Sequence, residues 1–243
     1  MIEARKLSKW YGSLLAVDDV SFRVERGEIL GFLGPNGAGK TTTMRMLAGF
    51  ILSDSGSAHV CGFGVSDDPL SAKACIGYLP EGAPLYGDMT PANLLKFALM
   101  LRRLPRKERT ERINAVISSV ELHEVLHRPI HTLSKGFKRR VALAQAIAHD
   151  PDVLILDEPT DGLDPNQKYE VRALLRSLAR DKAIIISTHA LEEVEALCTR
   201  AVVIAQGRIR VDDTPSNLRM MYQGSTMEEI FRIITSEKGK VDK

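Results

Sequence analysis

Residues Gly34 to Thr41 read GPNGAGKT, a complete match to the pattern G-x-x-x-x-G-K-[ST]. The apolar run Ile29 to Leu33 precedes it, and residues 40–48 after it read as a helix that Gly49 ends. A strand feeding a glycine-rich turn that opens a helix is the setting in which this pattern cradles phosphate. Gly34, Gly37 and Gly39 allow the backbone to curl until its N–H groups face phosphate oxygens. Asn36 and Ala38 lie between them and Thr42 just beyond. Lys40 is placed to neutralise the outer phosphates of a nucleotide, and the Thr41 hydroxyl to hold Mg²⁺.

The second decisive stretch is Val153 to Pro159, VLILDEP. An apolar strand ending in two acids sets carboxylates at the C-terminal edge of a sheet, where ligands of α/β folds bind. Asp157 suits a Mg²⁺ shell. Glu158 suits polarising a water for in-line attack on a γ-phosphorus.

Outward from these stretches, the pattern is that of an α/β protein. Residues 2–7 and 17–24 read as strands of a β flap with a turn at Glu25-Arg26-Gly27, and residues 58–65 and 76–79 as further β. Thr90-Pro91 is a helix start, and Ile113, Val116, Ile117 and Val120 form one apolar helical face. From Val153 onward the apolar runs VLIL, AIIIS and AVVIA alternate with helices at residues 167–179 and 191–197, which implies a parallel sheet. The expected architecture is one domain over residues 1–243. A P-loop-type core with a mostly parallel sheet carries an antiparallel β subdomain, an α-helical subdomain at about 82–150 and a C-terminal helical extension at about 213–243. Met44 and Met46 read as core.

The chain has 243 residues, of which 44% are hydrophobic, and a formal net charge of +2. That near-balance gives no reason to expect nucleic acid as a partner. Cys61, Cys75 and Cys198 form no C-x-x-C pair, which fits reduced, buried thiols better than a disulfide framework. The N-terminus lacks the apolar run of a signal peptide, and no run approaches the ~20 residues of a membrane-spanning helix. Any membrane role therefore needs another chain.

Between and after the nucleotide motifs stand Leu133-Ser134-Lys135-Gly136-Phe137, then Gly162-Leu163-Asp164, then Ser187-Thr188-His189. Together with Tyr11 ahead of the flap and Glu81 after Gly77-Tyr78-Leu79-Pro80, this ordered series resembles the nucleotide-binding subunit of an ATP-binding-cassette (ABC) transporter over nearly the full length. The resemblance implies ATP and Mg²⁺ as cofactors, with Thr41, Glu81 and Asp157 around the metal. It implies Tyr11 stacked on adenine with Val17 nearby, and Glu158 and His189 as the hydrolytic pair. It also implies a head-to-tail dimer with a second copy, in which Ser134, Lys135, Gly136, Phe137 and Asp164 face the partner's nucleotide. An integral membrane permease would hold the pair at the inner face of the cell membrane, on the cytoplasmic side. Ser134 is independently a reasonable cap for the helix after it.

The sequence departs from the family pattern at Glu81, which stands for a glutamine, at Lys135 and Phe137 in the signature, and at Asp161. With the C-terminal segment, these variants resemble an export-type branch that includes gliding-motility-like ATPases. The competing readings are a soluble, non-transport ABC ATPase and a clamp that binds ATP with little hydrolysis. His123, His127 and His131 recur every fourth residue, but Pro129 interrupts the helix that would align them as metal ligands. The basic stretch Arg102, Arg103, Arg106, Lys107, Arg109 and Arg112 reads first as a solvated helix face, and more sharply as a surface toward a permease or lipid headgroups.

Overall fold

A computed structural model describes residues 1–222 and 226–236. Its centre is a six-stranded sheet in the order β10-β9-β3-β8-β7-β6. These strands are β3 (Ile29–Leu33), β6 (Ile76–Leu79), β7 (Val153–Asp157), β8 (Ala183–Thr188), β9 (Arg200–Ala205) and β10 (Arg208–Asp213). β6, β7, β8, β3 and β9 run parallel, and β10 pairs antiparallel with β9. Every residue of β3, β7 and β8 is buried, as expected of parallel strands covered on both faces.

Alternation along those strands divides the interior into two cores. Leu154, Leu156, Ile184 and Ile186 face the helices α3 (Pro91–Leu101), α4 (Arg106–Ser119), α5 (Lys135–Ile147) and α6 (Pro165–Ala179). Val153, Ile155, Ile185, Val202 and Ile204 face α1 (Lys40–Leu47) and a second, antiparallel sheet of four strands. That sheet has the order β2-β1-β4-β5, from β1 (Ile2–Tyr11), β2 (Leu14–Val24), β4 (Ser55–Val60) and β5 (Phe63–Gly64). Met44 and Met46 on α1 are buried in this second core, as anticipated. The short helix α2 (Pro69–Ala74) precedes β6. A third, smaller cluster joins α7 (Leu191–Leu197), α8 (Pro215–Met221) and α9 (Met227–Thr235) to β9 through Leu218, Ile230 and Ile234. Residues 223–225 and 237–243 of the expected C-terminal extension lie outside the described residues.

Helix starts follow their caps. Thr90 accepts a hydrogen bond from the Asn93 amide at 3.2 Å with Pro91 in the first turn, and Ser134 accepts one from the Phe137 amide at 3.3 Å. The structure differs from the sequence reading at strand ends. The flap strands are longer because Gly12-Ser13 closes a tight hairpin that pairs Tyr11 with Leu14. The predicted β segment at 58–65 is two strands, and β10 was not anticipated. β10 alternates polar and apolar residues on a sheet edge, and it follows Gln206-Gly207, both at positive φ (53° and 76°), a two-residue hairpin turn. No helix among the described residues is long and apolar enough to cross a membrane.

Candidate nucleotide-binding and hydrolysis site

Parallel strands release their chemistry at one edge of the sheet. β3 ends at Leu33 in register with Thr188 of β8, Ser187 pairs with Asp157 of β7, and Leu156 pairs with Leu79 of β6. The glycine-rich loop, His189, the Asp157–Glu158 pair and Glu81 therefore emerge side by side from four separate strands. At this edge lies a cavity of about 410 Å³ lined by Tyr11, Leu14, Ala16, residues 36–42, Glu81, Asp157 and Glu158; Gly34 and His189 are not among its lining residues.

The loop is held from two sides. A Cβ on Gly34 would lie 2.4 Å from the Ile204 carbonyl oxygen, and one on Gly39, at φ +104°, would lie 2.5 Å from the Ala16 carbonyl oxygen. Glycine is required at both positions, by close approach at the first and also by the left-handed backbone at the second. Gly39 then leads directly into α1, whose first-turn amides face the cavity side of the loop. Lys40 is buried, its ammonium donating to the carbonyls of Gly34 (2.7 Å) and Pro35 (3.1 Å). Burial lowers its pKa, opposed by the negative charges of Glu158, Asp157 and Glu81. The Thr41 hydroxyl lies 3.4 Å from Glu81 Oε2, so the expected metal-holding pair does meet.

Asp157 is almost fully buried. Its Oδ1 accepts a hydrogen bond from the hydroxyl of Ser187, itself fully buried, while Oδ2 is buried and accepts none. An orphaned carboxylate oxygen inside a protein is costly unless a donor or a cation meets it. Glu158 follows in a left-handed conformation (φ 53°), its amide bonded to the Ser187 carbonyl at 3.0 Å. That turn carries its carboxylate back beside His189, with His189 Nδ1 and Glu158 Oε1 2.8 Å apart. An imidazole N–H donating to Glu158 orients both groups at the mouth of the site.

The profile of the family described as "ABC transporter" matches residues 17–161. The Nod factor export ATP-binding protein I of Paraburkholderia xenovorans (strain LB400) is 41% identical over 95% of this chain and 76% of its own length. The solved ATP-binding subunit of an ABC transporter superposes with a TM-score of 0.89 at 28% identity, covering 97% of this chain and 100% of that one. The chain belongs to the ABC transporter ATP-binding family. A solved bacterial ABC transporter cassette described as dimeric shares the fold with a TM-score of 0.82 at 23% identity, over 88% of this chain and 98% of its own. As an ABC ATPase domain, the chain is the ATP-binding subunit of a transporter. None of these relatives bears a gliding-motility name.

Within this ABC domain most predicted residues converge, and some do not. Tyr11, Asn36, Gly37, Ala38, Gly39, Lys40, Thr41, Thr42, Glu81, Asp157 and Glu158 line the cavity. Val17 does not. It is fully buried in the flap core, because alternation along β2 turns Val17 inward and presents Leu14 and Ala16 instead. Ser134, Lys135, Gly136 and Phe137 lie outside the cavity of their own chain. Asp164 caps α6, accepting from the Gln167 amide at 2.9 Å in a reciprocal capping box.

Two departures from the family pattern turn out to be partners. The Lys135 ammonium bonds Asp161 Oδ2 at 2.9 Å, an ion pair on the surface in which both side chains stay largely exposed. That bond holds the Asp161 carboxyl below its usual pKa. Phe137 lies beneath the Arg140 guanidinium, 5.8 Å from ring centroid to carbon. Of the basic stretch, Arg102 donates to the carbonyls of Lys73 and Ile76, and Arg112 pairs with Asp150 at 2.6 Å. Those two are internal ties, whereas Arg103, Arg106 and Lys107 are exposed. His123 bonds Ser118 and His131 bonds the Gly87 carbonyl. Among the described residues, Cys61, Cys75 and Asp152 are the three potential ligands that gather within 4.8 Å, and Asp152 is already bonded by Arg26.

Sequence reasoning missed Ser187 as a partner of Asp157, Leu14 and Ala16 as cavity walls, and the buried Arg139. Ser187 carried a signal, since a hydroxyl inside the apolar run AIIIS asks for a buried acceptor. The others carried none.

Proposed function

We propose that this chain hydrolyses ATP at composite sites formed with a second copy packed head to tail, and thereby drives a separate integral membrane permease. The observation that carries the reading is the cavity itself. Lys40, Thr41, Asp157, Glu158 and Glu81 meet there, while the signature residues 134–137 stand outside it and need another chain to reach a nucleotide. The dimeric state reported for a fold relative supports the same arrangement.

The residues present fit both cofactors. Backbone amides of residues 37–41 and the Lys40 ammonium would take the phosphates, and the exposed Tyr11 ring would stack on the adenine. Mg²⁺ would be held by Thr41, Asp157 through its unpartnered Oδ2, and Glu81, supplying charge neutralisation on the phosphate oxygens. Glu158 then accepts the proton of a water attacking the γ-phosphorus as the bridging oxygen leaves with ADP, and His189 fixes the carboxylate for that task. In the dimer, the Ser134-capped N-terminus of α5 lies toward the partner's γ-phosphate, with Lys135 beside it and Asp164 flanking the interface.

The permease would place the pair on the cytoplasmic face of the membrane, and the names of relatives support export as the direction. Glu158→Gln tests the reading. Hydrolysis should fall about 10²–10⁴-fold, while ATP is retained and size-exclusion chromatography shows an ATP-dependent dimer. Unchanged turnover removes Glu158 from its role, and a monomer at saturating ATP removes the composite site.

A further inference from the structure

Arg139 is a buried charge that the mechanism above leaves unused. It sits on α5, five residues beyond Ser134, and is only 6% exposed. Among the described residues it forms no ion pair. Its guanidinium instead meets backbone carbonyls: Asp157 at 2.5 Å, Glu158 at closer range, and Pro159 and Pro80 at 3.4 Å each. Those four carbonyls belong to the last residue of β7, to the turn after it and to the residue just before Glu81. One side chain from the signature helix thus grips the two segments that carry Asp157, Glu158 and Glu81.

The grip falls where the backbone needs it. Glu158 is a non-glycine residue in the left-handed region, and such a conformation persists only where its surroundings over-determine it. On one side the Glu158 amide is bonded to Ser187 of β8. On the other, Arg139 Nη2 donates to the carbonyls of both Asp157 and Glu158, while Nε and Nη1 reach Pro159 and Pro80, a spread of donors fixed in one plane that a single ammonium does not offer. The carboxylate projects to His189 because of this turn. A guanidinium that is buried without a carboxylate and satisfied by four carbonyl dipoles is a tie between backbone segments.

We propose that Arg139 is a positioning residue for ATP hydrolysis: it fixes the Glu158 turn and transmits the orientation of the signature helix to that carboxylate. The proposal rests on the assignment of Glu158 as the base. It concerns the chain's own site, whereas Ser134 to Phe137 on the same helix serve the partner's. Rotation of α5 toward a partner-bound nucleotide therefore moves the clasp on its own Glu158, which would link the two sites of a dimer.

The test compares full-length Arg139→Gln, Arg139→Lys, Glu158→Gln and the Arg139→Gln/Glu158→Gln pair. Each is read for ATP turnover, for affinity toward a non-hydrolysable ATP analogue, and for thermal midpoint. Misplacing a catalytic group by about 1 Å costs on the order of 10²-fold. Arg139→Gln should therefore lose about 10- to 100-fold in kcat, with analogue affinity within about twofold of the unmodified protein. Arg139→Lys should fall between the two. Added to Glu158→Gln, the substitution should cost little more, because the group it positions is already gone. Undiminished kcat in Arg139→Gln overturns the proposal, as does a full additive loss in the pair or a loss confined to analogue affinity. If Gln at 139 prevents folding, Arg139→Lys carries the test, and failure of both to fold assigns Arg139 to folding alone and overturns it. Failure of Glu158→Gln itself to slow turnover strikes the base assignment instead, and is recognised separately.

Discussion

Ser187→Ala probes the link between the folded core and Asp157, the acid proposed to hold Mg²⁺. The hydroxyl of Ser187 is fully buried and donates to Asp157 Oδ1, while the other Asp157 oxygen has no partner. Alanine removes one oxygen without adding bulk, so the change is confined to that hydrogen bond. A bond to a charged acceptor contributes about 1.5–3 kcal/mol. In a domain of this size about 1 kcal/mol shifts Tm by about 2–4 °C, which gives a fall of about 3–12 °C in chelator. With Mg²⁺ and nucleotide the gap should widen. Outer-shell partners hold metal ligands in orientation, and losing one weakens the metal by at least about tenfold. That lost affinity removes about 1.4 kcal/mol of ligand stabilisation from the variant, or about 3–6 °C more. Differential scanning calorimetry under both conditions reads the two effects. A gap below about 1 °C in chelator refutes the buried bond, and equal gaps in both conditions refute Asp157 as a metal ligand.

Lys40→Ala should weaken ATP analogue binding about 10- to 100-fold, matching the loss of one charge-assisted hydrogen bond; tight binding by calorimetry would contradict the loop's role. Lys135 and Asp161 should couple by only about 0.2–1 kcal/mol in a double-mutant cycle of stability, less at high salt, because both side chains are largely exposed. Since the bond depresses the Asp161 pKa, that contribution is present above the ordinary Asp value of 3.8 and disappears as pH falls through the lower folded value. Coupling that persists in acid would show that the pair is not what ties the signature to the segment ahead of Asp164. Glu81→Gln removes a negative charge 3.4 Å from the Thr41 hydroxyl and should change the Mg²⁺ dependence of hydrolysis. Superimposable Mg²⁺ titrations would mean that Glu81 takes no part in holding the metal.

Much of the fold was legible because it is locally encoded. Runs such as VLIL (153–156) and AIII (183–186) are apolar throughout, as a strand covered on both faces demands, and Thr90 and Ser134 cap the helices they precede. The edge strand β10 escaped that reading because a half-exposed strand of arginines and aspartates has no continuous apolar run, although its Gln-Gly turn was a usable sign.

The site divides in the same way. Residues 34–41 by themselves were enough to predict phosphate binding, since the glycines, the lysine and the helix start act within a few residues of one another. What the tertiary structure decided is everything that depends on strands brought side by side from distant parts of the chain. It turned Val17 away from the cavity and put Ala16 in its wall. It gave Asp157 its Ser187 partner, matched Lys135 with Asp161, and closed Arg139 around the carbonyls that set the Glu158 turn. A side chain's type is fixed by its codon, but the acceptor it finds is fixed by strand order and register. Those arise only when the whole core is packed.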